Sequence, residues 1–278
     1  MYNQRLKVLN KQLRSLNLDS LLIFNPSNIA YLTGFPQAQG CLMAASKDEL
    51  IYFTNCLYKE AAKKFMSCKL IVSDKEPDIY RLITNKIKKL RYKRIGFEMK
   101  DISFLKYKVL SSALNKEKIE FLANRDIIEE SRAIKSKKEI SLIKKSVQIS
   151  QEAFSFIEEI FDEKMTEKEL SIEIERFLRL KGDNELAFSP IVAAGKNSIS
   201  PHHLPKDIKI GGENLLIDLG SRYYGYCADL TRVFFWGKMP FLFKKIYGIV
   251  KKAQELGIKK NKRWRSSFRS RQSCSRVY

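Results

Sequence analysis

Histidine is nearly missing from this chain: His202 and His203 stand side by side and are the only two in 278 residues. Any imidazole that these 278 residues supply to a functional site comes from one short segment. Cysteine is sparse and odd in number, at Cys41, Cys56, Cys68, Cys227 and Cys274. With no paired metal-ligand spacing, these five argue against a disulfide framework or a thiolate zinc site and fit a reducing, cytoplasmic setting. Cys227, two residues before Asp229, reads as a small packing residue rather than a ligand. No glycine-rich phosphate loop occurs in the first 125 residues, so a nucleotide role for that part has no support. The start carries no signal-peptide pattern, and no apolar run approaches membrane-spanning length. No membrane partner is expected, and the chain reads as soluble and intracellular.

What is present is a composition of 44% hydrophobic and 30% charged residues, that of a soluble globular protein. The net charge of +21 invites a nucleic-acid reading. Eight of the basic residues, however, fall in residues 259–278. The others are mixed with glutamate in helical segments such as 135–145, the pattern of a solvated face. Nucleic acid is not an expected partner.

Along residues 1–127, short strands alternate with helices. Strands are expected at 20–24, 41–45, 49–53, 69–73 and 94–98, and helices at 57–66, 78–90 and 103–114. Leu6, Leu9, Leu13 and Leu16 form a helical stripe ahead of the first strand, and Asn25-Pro26 reads as a turn. Such alternation predicts an α/β domain with a mixed sheet. Residues 126–138 form a connection. Ile140, Ile143, Val147 and Phe154 then mark a long helix, and Thr166 with Glu169 caps a second helix over 167–180 in a capping box.

The chemistry concentrates at Asp218 and Asp229. Residues 215–220 and 226–235 read as two strands joined by a Gly-containing turn. A turn over Tyr223-Tyr224 followed by Gly225 at positive φ would set Asp218 directly opposite Asp229. Two carboxylates that close, beside Leu216, Ile217 and Leu219, would repel and lose solvation together. A divalent cation relieves both penalties. The alternative is two ordinary aspartates at strand ends, facing water.

The surrounding text resembles the metal-binding hairpin of the creatinase-fold metallopeptidases: Ile217-Asp218-Leu219-Gly220, then Asp229-Leu230-Thr231-Arg232. That family includes Xaa-Pro aminopeptidases, prolidases and methionine aminopeptidases. Pro190 to Asn197 and Ser200-Pro201-His202-His203 resemble its substrate-side histidine segment. Asn25-Pro26-Ser27-Asn28 through Tyr31, Thr33 and Gly34 resembles the opening of the proline-specific members. The likeness runs to about residue 257. It implies a creatinase-like α/β N-terminal domain (1–127) followed by an incomplete α+β pita-bread catalytic domain (128–257). It also implies two divalent metal ions, manganese first with cobalt or zinc as alternatives, and a peptide substrate with proline in second position. The likeness leaves the oligomeric state of the intact protein open, a homodimer or higher assembly being one of the options. Asp218 would chelate one metal and Asp229 would bridge both. Thr231 would orient the Asp229 carboxylate. His202 would hydrogen-bond the scissile amide; His203 is either a second substrate contact or an imidazole without a direct role.

The family's further ligands, a histidine and two glutamates later in the chain, find no match. After Asp229 there is no aspartate, no histidine and one glutamate, Glu255, in a lysine-rich helical stretch. From Lys259 onward the composition turns arginine-rich and free of acids, so residues 258–278 read as an out-of-frame or disordered tail, or else as a genuine basic extension. The expectation is a damaged, inactive copy of an Xaa-Pro peptidase. The alternative is a non-enzymatic creatinase-fold protein that binds peptide or nucleic acid.

Overall fold

The structure is a computed structural model. It describes residues 2–260, apart from 37, 47–48, 75, 212–213 and 236–238. The chain divides into two compact units at Ile140/Ser141, later than the sequence boundary at 127/128.

In the first unit, α1 (Tyr2–Ser15), β1 (Ser20–Ile23) and α2 (Pro26–Thr33) precede the hairpin β2 (Cys41–Ala45) and β3 (Leu50–Asn55). Then α3 (Lys59–Phe65), β4 (Lys69–Ser73), α4 (Glu76–Lys89), β5 (Arg94–Glu98), α5 (Phe104–Asn115), β6 (Glu120–Asn124) and α6 (Ile127–Ala133) complete it. The six strands form one sheet in the order β4-β3-β2-β1-β5-β6. Pairing is antiparallel across β1–β2 and β2–β3, and parallel across β3–β4, β1–β5 and β5–β6. The mixed sheet is thus as expected.

Alternation along the strands sends side chains to two cores, one on each face. Leu22, Met43, Ile51, Phe53 and Ile95 pack with Ile83 and Ile87 of α4 and Leu110 of α5. Leu21, Ile23, Leu42 and Tyr52 pack with Leu9 and Leu13 of α1 and Ile29 and Leu32 of α2. The predicted leucine stripe needs one change. The helix stops at Ser15, so Leu16 is exposed, and Arg5 joins the buried face instead. Its guanidinium donates to the Tyr31 carbonyl at 2.6 Å, pairs with Glu139 at 3.1 Å and lies 3.9 Å from the Tyr31 ring centroid.

Asn25-Pro26, read as a turn, opens a helix. The Asn25 side chain accepts from the Ser27 and Asn28 amides, Pro26 sits in the first turn, and Gly34 at φ 83° ends α2. This motif is tied down by buried Glu98. Glu98 accepts from the Phe24 and Asn25 amides at 2.7 and 2.9 Å and from the Asn28 side chain at 2.6 Å. Asn28 also donates to Glu129 and accepts from Arg132, both at 2.6 Å. These bonds account for why α6 belongs to the first unit.

Helix α7 (Lys137–Ile160) runs across the division. The second unit continues with α8 (Glu167–Lys181), β7 (Ile191–Ala194), β8 (Asn214–Leu219), β9 (Arg222–Tyr223), β10 (Tyr226–Cys227), β11 (Leu230–Phe235) and α9 (Phe241–Lys260). The capping box at Thr166 and Glu169 is present. Strands β11-β8-β7 make an antiparallel sheet. One face of it packs on α7 and α8, with Leu215, Ile217 and Leu219 against Phe154, Ile157, Leu170 and Ile174. Helix α9 continues to Lys260, past the residue-258 start assigned to the tail; residues 261–278 lie outside the described residues.

A candidate metal-binding hairpin

Strand alternation explains where the aspartates point. In β8 the odd residues Leu215, Ile217 and Leu219 are buried in the helix-side core, while Asn214, Leu216 and Asp218 are half-buried on the other face. In β11, Leu230 and Phe234 pack on the core side, which leaves Thr231 on the face of Asp218; Asp229, just before β11, is close enough to hydrogen-bond the Asp218 carboxyl.

The register differs from the expected one. Asp218 stands opposite Thr231, not Asp229. The turn lies over Tyr224 and Gly225, both at positive φ (49° and 79°), flanked by the Tyr223–Tyr226 pair. Two successive left-handed residues make a type I′ hairpin, whose twist suits antiparallel strands. Asp183 holds it, accepting from the Tyr224 and Gly225 amides at 2.9 and 2.8 Å. Moving the turn by one residue moves the pairing by two, and a two-residue shift keeps each side chain on its face. Asp229 is therefore a diagonal neighbour of Asp218 instead of a direct one.

The hairpin's strand pairing breaks between its two ladders. Ser221 is fully buried; its amide donates to the Ser150 hydroxyl at 2.9 Å and its hydroxyl to the Ser146 carbonyl at 2.7 Å. These bonds anchor the hairpin to α7. At Gly220 the Ala228 carbonyl would come within 2.1 Å of a Cβ, so a side chain would clash with the partner strand. Sequence reading missed this serine lock, whose residues lie about seventy positions apart with no local signal.

The two carboxylates interact. Burial pushes the Asp218 carboxyl above its usual range; the Thr231 hydrogen bond opposes this, and Asp229 adds to it through both charge and a hydrogen bond. Thr231 donates its hydroxyl to Asp218 Oδ1 at 2.6 Å. The threonine thus orients Asp218 and not, as expected, Asp229, because the true register sets it opposite Asp218. Cys227, expected to pack, is exposed.

The two histidines part company. His202 is exposed, whereas His203 is buried with Nε2 2.8 Å from Glu167 Oε2. Glu255, on α9, is exposed.

The donor set suits a hard divalent cation in part. Two adjacent carboxylates, one held by a hydroxyl, supply oxygen ligands and gain from a positive charge between them. Among the described residues, no third His, Cys, Asp or Glu completes a group with them. The one such group of three is Glu98, Asp101 and Glu129 in the first unit, where Asn25 and Asn28 already donate to the carboxylates.

The chain is similar to known proteins over both units. Residues 5–134 match the creatinase/prolidase N-terminal domain and residues 141–270 match metallopeptidase family M24. The second match extends past residue 257, where the sequence likeness was expected to stop. The chain is 30% identical over 258 residues to the Xaa-Pro dipeptidase of Pyrococcus furiosus, covering 92% of this chain and 71% of that protein. It superposes on the prolidase of Pyrococcus horikoshii OT3 with a TM-score of 0.87 at 26% identity, covering 99% of this chain and 77% of that one. With the X-Pro aminopeptidase of Thermotoga maritima the TM-score is 0.82 at 26% identity, over 95% and 76% of the two chains. The fold is that of a creatinase-type scaffold with two units. The chain belongs to metallopeptidase family M24. Its N-terminal half is the creatinase/prolidase domain, and its second half is part of the pita-bread catalytic domain.

Proposed function

We propose that the Asp218–Asp229 hairpin is one half of a dimetal site for hydrolysing the bond between an N-terminal residue and a following proline. The supporting observation is the closeness of Asp218, Asp229 and Thr231: burial raises the Asp218 carboxyl, the Thr231 hydroxyl opposes the rise, and Asp229 adds to it. Asp218 and Asp229 would supply the carboxylate ligands for the cations, and Thr231 fixes the Asp218 oxygen that would otherwise rotate. A pair of divalent ions, with manganese the first choice and cobalt or zinc next, supplies a water acidified toward neutrality. His202 donates to the scissile amide as charge develops on it. The names of the relatives, Xaa-Pro dipeptidase and X-Pro aminopeptidase, support the substrate class.

Residues 1–278 carry two of the five expected ligands, so this polypeptide binds manganese weakly and does not turn over. The test is an assay of purified chain on Ala-Pro and on longer Xaa-Pro peptides with manganese, cobalt or zinc added. The expected result is no hydrolysis. Turnover of even about one per second, within the ordinary enzyme range, would overturn the ligand argument. Peptide binding without any metal dependence would favour a non-enzymatic binding protein.

A further inference from the structure

Glu167, the first residue of α8, is 0% exposed, and both of its oxygens are fully engaged. Oε1 accepts from the Ala194 amide at 2.8 Å and from Asn197 Nδ2 at 2.9 Å. Oε2 accepts from His203 Nε2 at 2.8 Å and from the Lys206 amide at 3.1 Å. All four donors lie in residues 194–206, the segment that carries His202. The main chain adds to the grip: the Glu167 amide donates to the Ile208 carbonyl and the Lys168 amide to the Lys206 carbonyl, both at 3.0 Å.

A buried carboxylate is costly unless its charge is met by donors. Apolar packing would fill the same space without that penalty, so the charge serves the segment it gathers. Burial alone would raise the Glu167 carboxyl, but the bonds from Ala194, Asn197, His203 and Lys206 outweigh it and hold the group below its ordinary value. It is thus ionised at neutral pH, and His203 must present its hydrogen on Nε2.

We propose that Glu167 is the positioning residue of the histidine segment: it clamps the end of β7, the turn after it and His203, so that His203 is the anchor and His202 the imidazole offered to a bound peptide. The His202 part rests on the substrate reading given above; the clamp does not.

Nitrogen NMR of both imidazoles and amide hydrogen exchange on the full 278-residue chain test it, with Ala-Pro as probe and zinc as a diamagnetic cation. In the unaltered protein His203 shows a protonated Nε2 that Ala-Pro does not disturb, while His202 shifts on titration. Glu167→Gln keeps the volume but loses the charge. Exchange at Ala194 and Lys206 rises about tenfold or more, the His203 signature is lost and the His202 response weakens at least severalfold, with β1–β6 exchange unchanged. Should Glu167→Gln unfold the second unit, His203→Gln is the companion variant. It keeps a donor toward Glu167 and retains most of the protection at Ala194 and Lys206, whereas His203→Ala does not. Unchanged protection in Glu167→Gln, or an unprotonated Nε2 on His203 in the unaltered chain, would overturn the clamp. If Ala-Pro shifts neither histidine while the exchange results hold, the His202 substrate reading fails and the clamp stands.

Discussion

Glu98 in the first unit and Glu167 in the second are both buried acids at the hub of a hydrogen-bond network, yet their surroundings act on them in opposite directions. Burial raises the Glu98 carboxyl, with Asp101 adding to the rise, and the bonds from Asn25, Asn28 and Phe24 do not offset it. Glu167 is lowered because its four donors win over burial. The contrast follows the architecture. The first unit is a sheet covered on both faces, where Glu98 shares a crowded corner with Asp101 and Glu129. The second unit has helices α7 and α8 on one sheet face and carboxylates on the other, and spends its buried charge on holding a loop. The first unit holds two buried cores, one on each sheet face, and the second holds one core together with the chemistry-bearing residues.

The largest expected effect is in the first unit's core. Phe53→Ala, at a fully buried site, should cost about 3–5 kcal/mol. Urea unfolding followed by hydrogen exchange should show the loss in β1–β6 and leave β7, β8 and β11 protected. Equal loss in both would break the view of two separate cores. Asn28→Ala comes next. It removes bonds to Glu98, Glu129 and Arg132 and should cost about 2–3 kcal/mol, because a buried acid loses a donor; a change under about 0.5 kcal/mol would mean the network is not taut.

Acid should then separate the units. The Glu167 carboxyl is lowered from 4.5, so its contribution to stability is present above that value and is lost as pH falls below it. The raised Glu98 carboxyl has the opposite sign: its contribution is full below 4.5 and declines as pH rises through its folded value. Amides at Ala194 and Lys206 should therefore lose protection on acidification before those of Phe24 and Asn25 do. The smallest effect belongs to Asp229→Asn. Relief of repulsion on Asp218 should leave the melting temperature unchanged or slightly higher, within about 0.5 kcal/mol. A strong destabilisation would mean that the two carboxylates do not face each other without compensation.

Much of this was legible in the residues. Strands 41–45, 69–73 and 94–98 were marked by compact β-branched and apolar runs, and the Thr166 capping box by local chemistry. The face of Asp218 followed from period-two alternation alone, which is why it survived an error in register. The register itself depended on where two residues would adopt positive φ. Tyr224 does so at φ 49° although nothing in its type favours it, since Asp183, far back in the chain, supplies the hydrogen bonds. Helix α2 was hidden because Asn-Pro signals a turn and a helix start alike. The roles of Glu167, Glu98 and Ser221 depend on partners tens of residues away, and no local pattern announces them.

The most direct test of the central claim is manganese titration followed by electron paramagnetic resonance. It compares the unaltered chain, Asp218→Asn, Asp229→Asn and Asp101→Asn, each checked for an unchanged melting curve. The predicted result is weak binding that either hairpin substitution abolishes and Asp101→Asn leaves intact. Binding that survives both hairpin changes and disappears with Asp101→Asn would move the metal to the acidic corner of the first unit and contradict the assignment.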